Sequence, residues 1–251
     1  MLPMESPETR PPANNFEQYF EVVPALTPAL KNEVFRVRHQ VFCEDLAFEA
    51  QTLDRRERDH YDDQSLHLLI RNVRTGEFVG CTRIIRVRPQ DTQPRLPFEL
   101  ICGGSIDRSI VDPAALPRHS IAEISRLSIV SKYRQRKGEQ NSPAPISTGD
   151  FGTPNQPRFP YILVGLYMGT VELARLHDIE TLFVLTEPRL AQHLHKLGLE
   201  IQTIGAPIEY HGTRIPSMMK TSTVREQLQS IFCPLYDLIA KEIGATVTNT
   251  H

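Results

Sequence analysis

The sequence predicts an α/β fold, a mixed central sheet flanked by helices. Apolar segments of helical period alternate with short runs of β-branched residues. Two such runs, SLHLLIR and FVGCTRIIRV, flank a Thr75–Gly76 turn signal and read as an antiparallel hairpin. Further on, strand and helix alternate, which adds parallel pairing to the same sheet. With 251 residues and 40% hydrophobic content the chain can bury one full core, and it contains no internal repeat.

Residues 1–15 are rich in Pro, Glu and Asn and read as a disordered arm, so that a single domain spans 16–245 with its first ordered segment near Phe20. From Pro28 to Leu46 the apolar residues Leu30, Val34, Val37, Val41 and Phe42 recur at three and four, a helix that sets Arg38 and Phe42 on one face. The hairpin follows, then a Pro- and Gly-punctuated stretch, residues 89–118. IAEISRLSIV is the next strand and runs into the basic SKYRQRK. Residues 139–158 hold four prolines and little apolar content, and read as a flexible insertion. Tyr161–Leu176 is an apolar helix, TLFVLT a buried strand, and EPRLAQHLHKLG a helix with Pro188 in its first turn and Gly198 as its stop.

Composition excludes several classes. A net charge of -2 gives no global attraction to nucleic acid or anionic membrane. No apolar run reaches the roughly 18 residues of a membrane span, and MLPMESPETRPP is neither signal peptide nor anchor. Cys43, Cys81, Cys102 and Cys233 lack CxxC spacing, and His193 and His195, two apart on a helix, share no face. A cytoplasmic enzyme without metal or cofactor is expected.

The chemistry gathers between Arg38 and Arg126. ERDHYDD sets Glu57, Asp59 and Asp62 around Tyr61 just before the first hairpin strand. Taken alone these are as well explained by solvated charge. Arg38, Arg83 and Arg126, however, lie inside apolar stretches, where a charge is costly unless paired. Pairing them with Asp59, Asp62 and Glu123 makes one network, suited either to holding a cationic or zwitterionic substrate or to structure alone. Glu123 and Arg126 are three apart, so on a regular strand they would face opposite sides. Either they serve different faces or a β-bulge, predicted in or just after residues 123–129, realigns them and frees backbone N–H groups beside the site.

These residues resemble those of the acyl-homoserine-lactone autoinducer synthases and the related N-acyl amino acid synthases, including the PEP-CTERM/exosortase-associated acyltransferase branch. Arg38 and Phe42 match the family's Arg-x-x-x-Phe, and Glu57, Asp59 and Asp62 its Glu-x-Asp-x-x-Asp. Arg83 matches its strand arginine, and Glu123 and Arg126 its Glu-x-x-Arg. Phe48 stands where the autoinducer synthases usually carry tryptophan, and the chain has no Trp. The resemblance implies a GNAT-like fold and transfer of a long fatty acyl group from an acyl carrier protein thioester to a small-molecule amine. The missing tryptophan, the long insertion and the chain length favour an amino acid as acceptor, giving an N-acyl amino acid; S-adenosylmethionine, in the lactone-forming reaction, is the alternative. A protein of this fold that binds acyl carrier protein or an acylated signal without turnover is the non-enzymatic alternative.

The coenzyme A loop of GNAT enzymes is met only partly by Gln135, Gly138 and Gln140, which favours a carrier protein as donor. Lys132, Arg134, Arg136 and Lys137 offer local positive charge to an acidic carrier. Aminolysis of a thioester needs an oriented amine and a base, for which Glu123 and Glu57 are the candidates. Arg38, Arg83 and Arg126 would bind the acceptor's carboxylate or brace the acids, and Phe42 and Phe48 would line the pocket or belong to the core. A rival reading makes Cys43 or Cys81 the nucleophile and His67 its base.

Overall fold

Alternation along one strand decides how the sheet is covered. Gly80 faces Leu166, whose methyl would stand 3.1 Å from an added Cβ, while the next residue, Cys81, turns its thiol to the carbonyl of Val34 at 4.0 Å. Neighbours on a strand point to opposite faces, so the helices carrying Leu166 and Val34 lie on opposite sides.

The computed structural model describes residues 12–88, 94–133, 152–153, 156–157, 160–196, 198–199 and 201–248. In chain order these form α1 (Pro12–Tyr19), β1 (Phe20–Pro24), α2 (Pro28–Arg38), β2 (Ser65–Asn72), β3 (Phe78–Arg86), α3 (Pro97–Cys102) and β4 (Ile121–Ile129). There follow β5 (Gly152–Thr153), β6 (Gln156–Pro157), α4 (Tyr161–Arg175), β7 (Thr181–Thr186) and α5 (Pro188–Lys196). β8 (Gln202–Thr203), β9 (Ile208–Glu209), β10 (Thr213–Lys220), α6 (Thr221–Gln227) and α7 (Cys233–Thr248) complete the chain. The main sheet runs β1-β2-β3-β4-β7-β10-β8, with β9 beside β10. Among the described strands only β4 and β7 pair in parallel, so the sheet is mixed, as expected.

The hairpin of β2 and β3 forms with Gly76 at φ +73° in its turn. Thr27 caps α2, its hydroxyl accepting from the Leu30 N–H at 3.2 Å, and Pro28 occupies the first turn, where its missing donor costs nothing. The helix predicted to Leu46 changes character at Arg38 and continues as a π-helical turn, His39–Asp45. Apolar spacing of three and four does not distinguish the two, so the sequence hides the change.

α4 is buried on every side from Ile162 to Ala174. Gly165 and Gly169 let its neighbours approach, since a Cβ at Gly165 would fall 2.7 Å from the Phe16 ring and one at Gly169 2.7 Å from Leu68. Phe16 is fully buried there, and regular structure begins at Pro12 rather than near Phe20. The helix begun at Pro188 ends before Gly198, which adopts φ +81°. α7 packs on α4 and β1 through Leu235, Ile239 and Ile243. Of the predicted insertion, only the β5–β6 pair and Pro160 beyond it are described.

Candidate active site

The predicted bulge is present. β4 pairs with β3 through Ile85–Glu123 and Arg83–Ser125, and pairing resumes at Cys81–Ser128, so Arg126 and Leu127 together oppose Thr82. Arg126 takes φ +53°, left-handed backbone that a non-glycine residue adopts only when its surroundings hold it. The extra residue brings the Arg126 side chain onto the face that carries Glu123, Arg83 and α2.

On its other edge β4 pairs with β7 only from Ile121 to Ile124, the last step being Ile124–Val184. Beyond that the strands part, and a cavity of about 240 Å³ lies in the gap. Glu123, Ser125, Arg126 and Leu127 line it from β4, Val184, Leu185, Glu187 and Leu190 from the β7 side, and Phe42, Phe48, Asp59, Tyr61 and Arg83 from the N-terminal half.

The arginines and carboxylates form the network that burial demands. Arg38, fully buried, donates to Glu57 and, at 2.5 Å, to Asp62. Arg83 donates to Asp59 at 2.7 Å, Asp62 at 2.9 Å and the Ser125 hydroxyl at 3.0 Å. Arg126 pairs with Glu57 at 3.0 Å, Glu49 at 3.1 Å and Asp59 at 3.7 Å, and its guanidinium lies 5.3 Å from the Phe42 ring centre. Arg38, Glu57 and Asp62 stand behind the cavity wall; Phe42, Phe48, Asp59, Arg83 and Arg126 are part of it. Among the described pairs, these three arginines meet four carboxylates: Asp59 and Asp62, as expected, with Glu57 and Glu49. Glu123, the third partner expected from the sequence, pairs with none of them and accepts from the Phe98 N–H instead; Glu49 is the site residue that no sequence motif marked.

Proton affinities separate the acids. Burial alone would raise Glu57, but Arg38 and then Arg126 hold it below the ordinary carboxylate range. Asp59 is lowered by Arg83 against the same burial, and Asp62 falls to about 2 under Arg38 and Arg83. Glu123 goes the other way. Burial lifts its carboxyl to about 7, although the Phe98 N–H that donates to it at 2.7 Å pulls downward. Burial and then the charge of Glu123 raise the phenol of Tyr61.

The rim comes from the C-terminal half, from residues that no motif singles out. The β9–β10 turn brings Tyr210 and His211 over the cavity, and His211 stacks on Phe48 at 5.1 Å between ring centres and 25° between planes. Arg214, on β10, pairs with Glu187 at 3.3 Å. These polar residues lie in a short polar hairpin, where no burial cost singles them out.

Of the predicted carrier-binding residues, Lys132 is exposed and donates to Glu77 at 2.9 Å. Arg134, Arg136 and Lys137, like Gln135, Gly138 and Gln140, lie outside the described residues. The cysteine reading finds no geometry. Burial lifts the Cys81 thiol to about 11 and its partner is the Ser128 hydroxyl at 3.1 Å, while burial lowers His67 to about 4. Among the described residues no three His, Cys, Asp or Glu are arranged to hold a metal, and no helix is long and apolar enough to cross a membrane.

Residues 37–141 match the acetyltransferase (GNAT) domain, the segment that carries the bulge and the network. Among solved structures, TofI in a ternary complex with an inhibitor and MTA is similar at TM-score 0.57 and 19% identity, covering 87% of this chain and 99% of that one. The AHL synthase LasI is similar at 0.56 and 19%, covering 84% and 95%. FeeM, an N-acyl amino acid synthase from uncultured soil microbes, is similar at 0.52 and 14%, covering 83% and 94%. At these identities the likeness is one of fold, and the fold is GNAT-like. No curated protein matches the chain.

Proposed function

We propose that this GNAT-fold acyltransferase moves a long fatty acyl group from an acyl carrier protein thioester to the amine of a free amino acid, giving an N-acyl amino acid. One observation carries the reading: Glu123, a carboxyl with proton affinity near neutral, lies where β4 and β7 part, beside a cluster in which carboxylates outnumber arginines. A base poised near working pH and a negative wall suit a substrate that arrives as an ammonium and reacts as an amine.

The excess negative charge draws the ammonium, which gives one proton to solvent. Its nitrogen then attacks the thioester carbonyl, whose π electrons move to oxygen. Glu123, directly or through water, takes the second proton from nitrogen. The tetrahedral intermediate collapses, the C–S bond breaks, and the proton passes from Glu123 to the departing thiolate, leaving amide and carrier thiol. Backbone N–H groups on the edge of β4 released from β7 would stabilise the oxyanion.

Glu57 serves as the hub of Arg38 and Arg126 rather than as the base, because both arginines depress its proton affinity. Asp59 and Asp62 hold Arg83 in the same way. Phe42 and Phe48 wall the acceptor or acyl pocket. Lys132, with Arg134, Arg136 and Lys137, would meet the acidic carrier, and the proposed carrier-dependent reaction would be cytoplasmic. The reaction calls on no metal or bound cofactor.

Incubation of the purified chain with acyl carrier protein thioesters and coenzyme A thioesters, with the twenty amino acids and S-adenosylmethionine as acceptors, tests this by mass spectrometry. Coenzyme A donors belong in the test because BjaI, of similar fold at TM-score 0.51, is a CoA-dependent synthase. N-acyl amino acids are expected. A homoserine lactone would move the acceptor to S-adenosylmethionine, and the absence of any acylated product would refute an acyltransferase.

A further inference from the structure

Resting on the acyltransferase reading, we propose that Arg214 receives the acceptor's α-carboxylate and so selects α-amino acids over simple amines. An acceptor carboxylate needs a cation that is not already committed. Arg83 is held by Asp59 and Asp62 and its side chain is almost wholly buried. A carboxylate brought to Arg126 would face Glu49, Glu57 and Asp59 together, and like charges at that range repel. Arg214 lines the same cavity from its far end. Among the described residues its carboxylate partner is Glu187, at 3.3 Å, and it makes a long contact to the Thr213 carbonyl, also at 3.3 Å.

The ladder fixes the separation. Glu123 is level with Phe183 of β7, whereas Arg214 lies one residue beyond the Ile215–Thr186 pair, level with Glu187. Four residues of β7 rise about 13 Å at roughly 3.3 Å each. Once an arginine and a glutamate side chain reach in from the two ends, the gap left suits an α-amino-acid head with a hydrogen bond at each end. The amine then meets Glu123 and the negative cluster, and the carboxylate meets Arg214 in place of Glu187. Guanidinium presents a planar fork that carboxylates engage in pairs. S-adenosylmethionine carries the same head, so the selection holds for either acceptor.

A one-pot competition on the full chain tests this. The twenty L-amino acids and their carboxamides are offered together at one acyl donor concentration, and the ratio of N-acyl acids to N-acyl amides is read by mass spectrometry. The wild-type ratio is the reference, so differences in amine basicity cancel. R214Q is expected to lower the ratio by about 10- to 100-fold, the range of a charged hydrogen bond, through loss of acid products with amide products retained. R214K restores part of it. E187Q raises the ratio, a gain that damage to the fold does not produce. Equal loss of acid and amide products in R214Q, or an unchanged ratio in R214Q and E187Q, would overturn the assignment. So would a raised KM for the donor alone, which would give Arg214 to the thioester. If the wild type acylates neither class, the acyltransferase reading itself fails.

Discussion

Replacing Glu123 by glutamine separates its catalytic role from its burial, because the two predict opposite changes. A carboxyl moved from its ordinary 4.5 to about 7 holds its proton about 3 kcal/mol more tightly in the folded chain. Below pH 4.5 folded and unfolded chains both keep that proton. Between 4.5 and 7 the unfolded chain ionises first, so stability falls as pH rises, and it levels off above 7 with a buried carboxylate in place. Glutamine keeps an acceptor for the Phe98 N–H but cannot ionise, so E123Q lacks this slope. Urea denaturation of wild type and E123Q at pH 5 and pH 8 isolates it, since every other group cancels in the comparison. E123Q should gain about 2.5 kcal/mol on wild type between the two, since part of the effect is already present at pH 5. Over the same range its kcat should fall about 10²- to 10⁴-fold, the ordinary contribution of a general base, and the limb of kcat/KM near pH 7 should vanish. Parallel pH dependence of stability within 1 kcal/mol, or kcat within a few-fold of wild type, would refute the assignment.

Asp62 predicts the converse at acid pH. Its carboxyl, lowered to about 2, stabilises the fold above the ordinary 3.8, and that stability is lost as pH falls toward 2. D62N should therefore cost about 3 kcal/mol or more at pH 7, where it strips buried Arg38 and Arg83 of a partner, and markedly less at pH 2.5 by urea denaturation; an equal cost at both would contradict the pairing. Arg126 offers a backbone test, because φ +53° suits glycine and costs an L residue roughly 1 kcal/mol. R126G should be about 1 kcal/mol more stable than R126A, although glycine ordinarily weakens a strand, and the reverse order would mean that the bulge is absent in solution.

The site was legible where burial and charge conflict. Arg38, Arg83 and Arg126 stand out because each interrupts an apolar pattern, and the three-residue step from Glu123 to Arg126 called for the bulge that the ladder contains. Arg214 and Glu187 interrupt nothing, since they lie in polar segments, and only the pairing of β7 with β10 carries them to the cavity. Phe16 was hidden in the same way, an aromatic within the polar run NNFEQ whose slot is made by Gly165, far along the chain. α7 differs, because its pattern is legible: Leu235, Tyr236, Ile239 and Ile243 recur at helical spacing on its buried face.

Glu57 and Glu123 are both candidate bases in the sequence, Glu123 favoured for its place on a strand, and the structure parts them by what surrounds each. Glu57 sits behind the cavity wall between two guanidiniums, and its charge is what keeps Arg38 and Arg126 in place. E57Q therefore removes half of the pairing of a fully buried arginine, and a loss of about 3–5 kcal/mol in urea denaturation is expected. Catalysis should suffer as well, since Arg126 and the Phe42 ring beneath it form part of the wall. The pH profile tells the two acids apart. A hub that is ionised at every working pH contributes no titration, so the residual activity of E57Q should still rise through the limb near 7 set by Glu123. Loss of that limb in E57Q with its survival in E123Q would exchange the two roles, because only the group that carries the proton can move it.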